Sequence, residues 1–265
     1  MLDQMILGRY VPMDSYVHRL DPRMKIVFVF IMMITIFAAN NIVTYGILLV
    51  MTLVILYLSK LKLSFLINGL KPILLLLIFT FLMHVFLTKG GSNLFSYGII
   101  DIDSNGIIQG LFITMRFILI IFLTTIMTLT TSPISLTDAL ETLLNPLKRI
   151  KVPVHEFALM MSIALRFIPT LMDELTKVMR AQMSRGSDMT SGPFISRLKA
   201  IVPLLIPLFV SAFKRAEDLA VAMEVRGYRG DIGRTKYRKL DWQQRDTWSL
   251  VTVIPMILAI LYFRT

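Results

Sequence analysis

The chain has 265 residues, 55% of them hydrophobic and 17% charged, with 28 Lys and Arg against 17 Asp and Glu, a net charge of +11. A mean hydropathy of +0.71 is too apolar for a soluble domain of this length. With no cysteine, disulfides, a thiolate nucleophile and cysteine metal sites are excluded.

Residues 1–25 lack the basic start, apolar run and small-residue cleavage site of a signal peptide, so the first span is expected to act as its own insertion signal. The uncharged stretch 26–59 is broken by Ala38-Ala39-Asn40-Asn41. It predicts two spans, about 22–39 and 42–58, joined by a tight polar turn. Asp21 suits an N-cap and Pro22 the first helical position. The first apolar run is short for a hydrocarbon core of ~30 Å, so Arg23 and Lys25 are expected to snorkel. Further spans are predicted near 72–87, 107–130 and 247–263, the last with Trp242 and Trp248 placed like an interfacial belt. His84 and Arg116 fall inside predicted spans, where ionisable groups are functional candidates. Packing for His84 and snorkelling for Arg116, near one end of its span, compete with that role, and neither is placed in the site.

Loop charge sets the orientation. Arg9, Arg19, Arg23 and Lys25 precede the first span, and Lys60, Lys62 and Lys71 separate the second from the third. The turn at 38–41 is uncharged, and the loop 88–106 sets one Lys against Asp101 and Asp103. Residues 132–241 hold 17 Lys and Arg against 11 Asp and Glu, a net of +6. The pattern predicts five spans in a bacterial inner membrane, with the N-terminus and the region 132–241 cytoplasmic and the C-terminus outside. The same distribution argues against nucleic acid as a partner, because the basic residues fall in particular loops between apolar runs and do not gather on one soluble surface.

The region 132–241 is not a polar domain. A short amphipathic helix is predicted over 135–150, broken by Pro146 and ended by Pro153. A long helix over 156–185 sets Phe157, Met161, Ala164, Ile168, Leu171, Leu175 and Met179 at spacings of three and four, with Arg166, Asp173, Lys177 and Arg180 on another face. A third helix, 194–226, runs roughly 50 Å at 1.5 Å per residue. Its apolar centre, 200–213, is shorter than the ~18 residues that argue for a span. Both long helices are therefore expected at or below the membrane surface, kinked at Pro169, Pro203 and Pro207.

These two helices end alike, one on Ala181-Gln182-Met183-Ser184-Arg185-Gly186 and the other on Ala222-Met223-Glu224-Val225-Arg226-Gly227. Either ending alone is a C-cap, with Gly after the last helical residue and Arg complementing the helix dipole. Their repetition on neighbouring helices points to two equivalent docking tips, each holding a guanidinium fork that can take a carboxylate bidentately. Met160, Met161, Met172, Met179, Met183 and Met223 lie on the same helices, where Met suits either core filling or a surface that accommodates several partners. Glu217 and Glu224, with Arg215 nearby, read first as solvated surface groups.

At these residues the chain resembles the transmembrane T component of energy-coupling factor transporters, a branch of the ATP-binding cassette importers. The resemblance rests on Ser184-Arg185-Gly186 and Val225-Arg226-Gly227, on the run Ala222 to Tyr228, and on the opening Ser15-Tyr16-Val17-His18-Arg19-Leu20-Asp21-Pro22-Arg23-Met24-Lys25. The residue before each Arg departs from the family's commonest Ala. The resemblance implies two ATPase subunits docking at the tips, namely Ala181, Ser184, Arg185 and Gly186 on one helix and Ala222, Glu224, Val225, Arg226 and Gly227 on the other. It also implies a small membrane-embedded substrate-binding S component, interchangeable in some members, and vitamin or metal-ion cargo. ATP and Mg are expected on the partners, since no Gly-x-x-x-x-Gly-Lys-Ser/Thr loop is present and no paired-carboxylate or His-Glu-x-x-His cluster marks an enzyme. The expected architecture is an all-α membrane protein, with four spans in 1–131, a coupling module in 132–241 and a last span in 242–265. A permease lining its own path, an intramembrane enzyme and a passive scaffold are the competing readings; the first two need polar groups at mid-bilayer that these spans lack.

Overall fold

The computed structural model describes residues 10–97, 100–186, 193–230 and 240–264, with side chains described except at 93–97, 100–102, 194 and 196–200. The linkers at 187–192 and 231–239 and residues 1–9 lie outside the described residues. Two compact units divide the chain: 1–139 with 240–265, and 140–239.

The first unit holds α1 (Pro22–Ala38), α2 (Ile42–Ser59), α3 (Leu63–Leu70), α4 (Leu74–Leu87), α5 (Ser104–Thr130), the start of α6 (Pro133–Leu144), α9 (Gln244–Val251) and α10 (Val253–Phe263). Asp21 caps α1 as its sequence predicts, accepting from the Arg23 N–H at 2.8 Å, with Pro22 in the first turn. The polar turn after α1 does more than reverse the chain. Asn40 and Asn41 donate to the carbonyls of Arg264 and Phe263 at 3.0 and 3.1 Å, satisfying the end of α10. Arg116 reaches the same turn, donating to the Ala39 carbonyl at 3.3 Å over the ring of Phe37. Met32 and Ile36 of α1, Leu48 of α2, Leu119 and Leu123 of α5 and Ile260 of α10 form the core where these helices meet.

Five helical stretches are long and apolar enough to cross a membrane: Ile42–Ser59, Leu63–Leu87, Ser104–Thr130, Val154–Ser184 and Gln244–Phe263. At most 33% of the apolar window in any of them is buried within the chain, so residues such as Leu75 and Leu87 face outward for lipid or a partner to cover. The chain is an all-α multi-pass membrane protein. The membership of the set differs from the sequence reading in two places. At 17 residues, about 25 Å of rise, α1 is one residue shorter than α2 and within the ~17–25 residues that can span a bilayer, and it packs against α5 and α10 in the core. The second long helix qualifies by length and composition. The third span also starts earlier than predicted, because Lys71 and Pro72 sit in a 3-10 turn that joins α3 to α4 without breaking the rod. A small antiparallel hairpin, β1 (Asn93–Tyr97) and β2 (Ile100–Asp103), links α4 to α5.

The segment ahead of α1 is fastened to this unit. The Val11 N–H donates to the Leu129 carbonyl at 3.0 Å, and Tyr16 meets Ser249 hydroxyl to hydroxyl at 3.0 Å. His18 donates through Nε2 to the Val11 carbonyl at 3.0 Å, leaving Nδ1 to accept from the Ser15 hydroxyl at 2.6 Å. The neutral ring thus satisfies both nitrogens, and burial pushes its pKa below the ordinary 6.5. The unfolded chain therefore binds the proton more readily, and the ring's contribution is whole above pH 6.5 and is lost as pH falls toward the depressed value. Acidification from pH 7.5 to 5.5 is expected to lower the thermal midpoint of the detergent-solubilised protein more than that of His18→Gln; equal shifts would contradict this account.

Candidate functional site

The second unit is built on α7 (Val154–Ser184) and α8 (Phe194–Val225), 31 and 32 residues long, which pack on each other. Both run through their internal prolines, Pro169 in one and Pro203 and Pro207 in the other. A bond of 3.0 Å between Glu141 and His155 ties the end of α6 to the start of α7. Leu204 is buried on α8, and Leu208, Ser211, Ala212, Arg215 and Leu219 continue its stripe at helical spacing as half-buried positions. The opposite surface leaves Ile206, Phe209, Val210 and Phe213 at 60% exposure or more.

At the tips the two helices have the same backbone. Arg185 lies at φ −87°, ψ 7° and Arg226 at φ −82°, ψ 8°. Each is followed by a glycine in the left-handed region, Gly186 at +84° and Gly227 at +72°, where a Cβ costs ~1–2 kcal/mol. Nothing lies within 4 Å of a Cβ placed on either glycine, so the requirement is conformational and not one of space. The Gly186 N–H donates to the Met183 carbonyl at 3.0 Å and the Gly227 N–H to the Glu224 carbonyl at 2.9 Å. On α8 the Tyr228 N–H completes a Schellman cap on Met223 at 3.0 Å. The caps consume backbone groups alone. Both guanidinium groups stay exposed, and neither has a hydrogen bond or ion pair among the described residues. Ala181, Ser184, Ala222, Glu224 and Val225 are exposed around them.

One cross-link between the rods has no local sequence signature. Glu174 on α7 accepts from the Ser211 hydroxyl at 2.9 Å and pairs with the Arg215 guanidinium on α8. Arg215 thus faces Glu174, while Glu217 and Glu224 are exposed. Side-chain exposures of 34% and 23% make this a half-screened pair, so Glu174→Ala is expected to cost about 1 kcal/mol. Slower exchange of α7 and α8 backbone amides in the wild type than in the variant would register it; identical exchange would show that apolar packing alone joins the rods.

Residues 13–237 match the family described as CbiQ, cobalt transport protein. The chain belongs to that family. It is 70% identical over 100% of both chains to the energy-coupling factor transporter transmembrane protein EcfT of Macrococcus caseolyticus. It is 56% identical over 99% of both chains to the protein of that name in Bacillus subtilis, and 48% identical over 98% of both in Lactococcus lactis subsp. cremoris. The chain is a transmembrane T component of the energy-coupling factor transporters, as the resemblance implied.

In this T component, Met160, Met161 and Met183 are exposed, while Met172, Met179 and Met223 are half-buried, so the methionines serve both surface and packing. Sequence reasoning missed the Glu174–Arg215 pair and the close approach of α4 to α5 at Gly106 and Gly110. The signal for the second was present: Gly106-Ile107-Ile108-Gln109-Gly110 is a small-x-x-x-small motif in an apolar helix.

Proposed function

We propose that the two arginine tips dock two ABC-type ATPase subunits, and that α7 and α8 pass ATPase closure to a membrane-embedded S component that carries a vitamin or metal ion. The observation carrying this reading is the identity of the two tips: the same backbone angles, the same glycine turn and, on each, a guanidinium with no hydrogen bond or ion pair among the described residues. A pair of matched plugs fits a pair of matched sockets, and an ATPase dimer supplies them. The exposed apolar face of α8 supports a membrane-embedded partner on the other side.

Within this reading the chain is non-catalytic, and ATP and Mg belong to its partners. The coupling module lies on the cytoplasmic side, the N-terminus is cytoplasmic and the C-terminus is outside, with loop charge as the support. Partners are isolated by mild-detergent purification of the tagged chain from native membranes, with mass spectrometry of every associated polypeptide. ATP-binding subunits together with small membrane proteins are expected. Recovery of the chain alone, or with partners that bind no nucleotide, would sink the reading.

A further inference from the structure

The first turn of α1 carries a buried ionic network that reaches the end of α5, ahead of the segment by which the chain leaves the first unit after Ala139, and Leu240, where it rejoins that unit. Lys25 is 5% exposed; its Nζ donates to the Thr130 carbonyl at 2.9 Å and to the Thr131 hydroxyl at 3.2 Å. Thr130 is the last residue of α5, and α6, the arm that runs on into the second unit, starts at Pro133. Two residues before Lys25, Arg23 donates to the Leu240 carbonyl at 2.9 Å. Leu240 is the first residue of the first unit after the return from the second.

The rest of the network holds that turn in place. Arg23 lies across the Asp21 carboxylate, with Nη2 at 2.7 Å and Nε at 3.1 Å. The Asp21 N–H donates to one oxygen of Asp246 at 2.8 Å, while the Gln243 N–H donates to the other at 2.8 Å. Asp246 is 1% exposed and Asp21 5%. Buried charges this well hydrogen-bonded give one geometry in place of many, and removing one partner leaves the others unpaired at large cost. The ammonium at the end of α5 also meets the negative pole of that helix.

We infer that Arg23 and Lys25 are positioning residues that pin both roots of the coupling module to α1, so that displacement of α7 and α8 reaches the partner and is not absorbed where the module joins the spans. The inference rests on the proposed coupling to ATPases. An unpinned root yields under load, and the same nucleotide-driven movement at the tips then arrives attenuated.

The test uses the complete complex with its ATPase subunits; this chain has no native cysteine, and partner subunits stripped of theirs leave the introduced pairs as the labelling sites. Spin labels on the pair Ile42→Cys and Ile134→Cys report the outgoing root, and on the pair Ile42→Cys and Gln244→Cys the returning one; all three positions are exposed. With the wild-type network both distances are expected to hold between nucleotide-free and ATP-bound states. In Lys25→Met the first, and in Arg23→Leu the second, is expected to shift on adding ATP, on the order of 5 Å, one helical turn. Lys25→Arg, which restores a cation at the helix end, is expected to restore the fixed distance. A root that moves with ATP in the wild type, or stays fixed in both variants, overturns the inference. Should Lys25→Met fail to assemble, Thr131→Val removes one bond of the same ammonium and is expected to broaden the first distance when ATP is added; an unchanged distribution counts against the pin. Wild-type complexes without ATPase subunits would remove the proposed function itself, a result separable from every outcome above.

Discussion

Replacing Arg185 or Arg226 with alanine is expected to weaken ATPase docking by about 2 kcal/mol or more, roughly thirty-fold, as truncation of a hot-spot arginine does. The expectation follows from what each side chain does not do at home. The caps of α7 and α8 are closed by backbone N–H groups and left-handed glycines, so alanine removes the proposed plug without removing the cap. Neither guanidinium supports the fold through a bond among the described residues. Lysine at either position keeps the charge and loses the planar fork, and should recover only part of the affinity. Both single variants are expected to stay folded in the membrane, to lose ATPase subunits on purification, and to lose ATP-driven uptake. Two variants that retain their ATPases at wild-type stoichiometry would show that the tips are caps and nothing more.

Gly106→Ala is expected to be the most damaging alanine among the helical glycines of the membrane unit. A Cβ there would lie 2.9 Å from the carbonyl oxygens of both His84 and Thr88 and 3.1 Å from that of Val85. Those atoms are backbone and cannot turn aside, so α5 must back away from α4 along their whole contact, an overpacking cost of about 1–3 kcal/mol. One turn along, a Cβ on Gly110 would meet the Phe81 ring at 3.2 Å, which can tilt, and the Phe81 carbonyl at 3.3 Å, a milder approach than the two at 2.9 Å. Gly46 on α2 has nothing within 4 Å, so alanine there should gain up to about 1 kcal/mol of helix propensity. Thermal midpoints in detergent are therefore expected to rank Gly46→Ala above wild type, then Gly110→Ala, then Gly106→Ala. Equal midpoints for the last two would mean that the helices are not held at backbone contact.

Local chemistry made much of this legible. Asp21 and Pro22 start α1, the asparagines at 40 and 41 break the apolar run, and each Arg-Gly pair falls one residue past the end of its rod because only glycine takes the left-handed turn cheaply. The two cap geometries at the candidate site were legible for the same reason, since a cap is written in adjacent positions. Glu174 and Arg215 were not, because a pair 41 residues apart depends on how two rods are phased. The run from Lys60 to Pro72 looked like a loop, its three lysines and a proline masking α3. By length and composition α7 is apolar enough to cross as well, a property its charged face conceals, while α1, expected as a span, is one residue shorter than α2.

The bare outer face of α8 bears on cellular supply. A rod that buries Leu204 and leaves Phe209, Val210 and Phe213 uncovered carries an apolar strip of the kind that marks a binding or aggregation surface. Surplus copies synthesised beyond the stock of companion subunits should be cleared. The dosage of this polypeptide in the cell would then be metered by whatever shields that strip, and overproducing it by itself should yield degradation fragments in place of a stable pool.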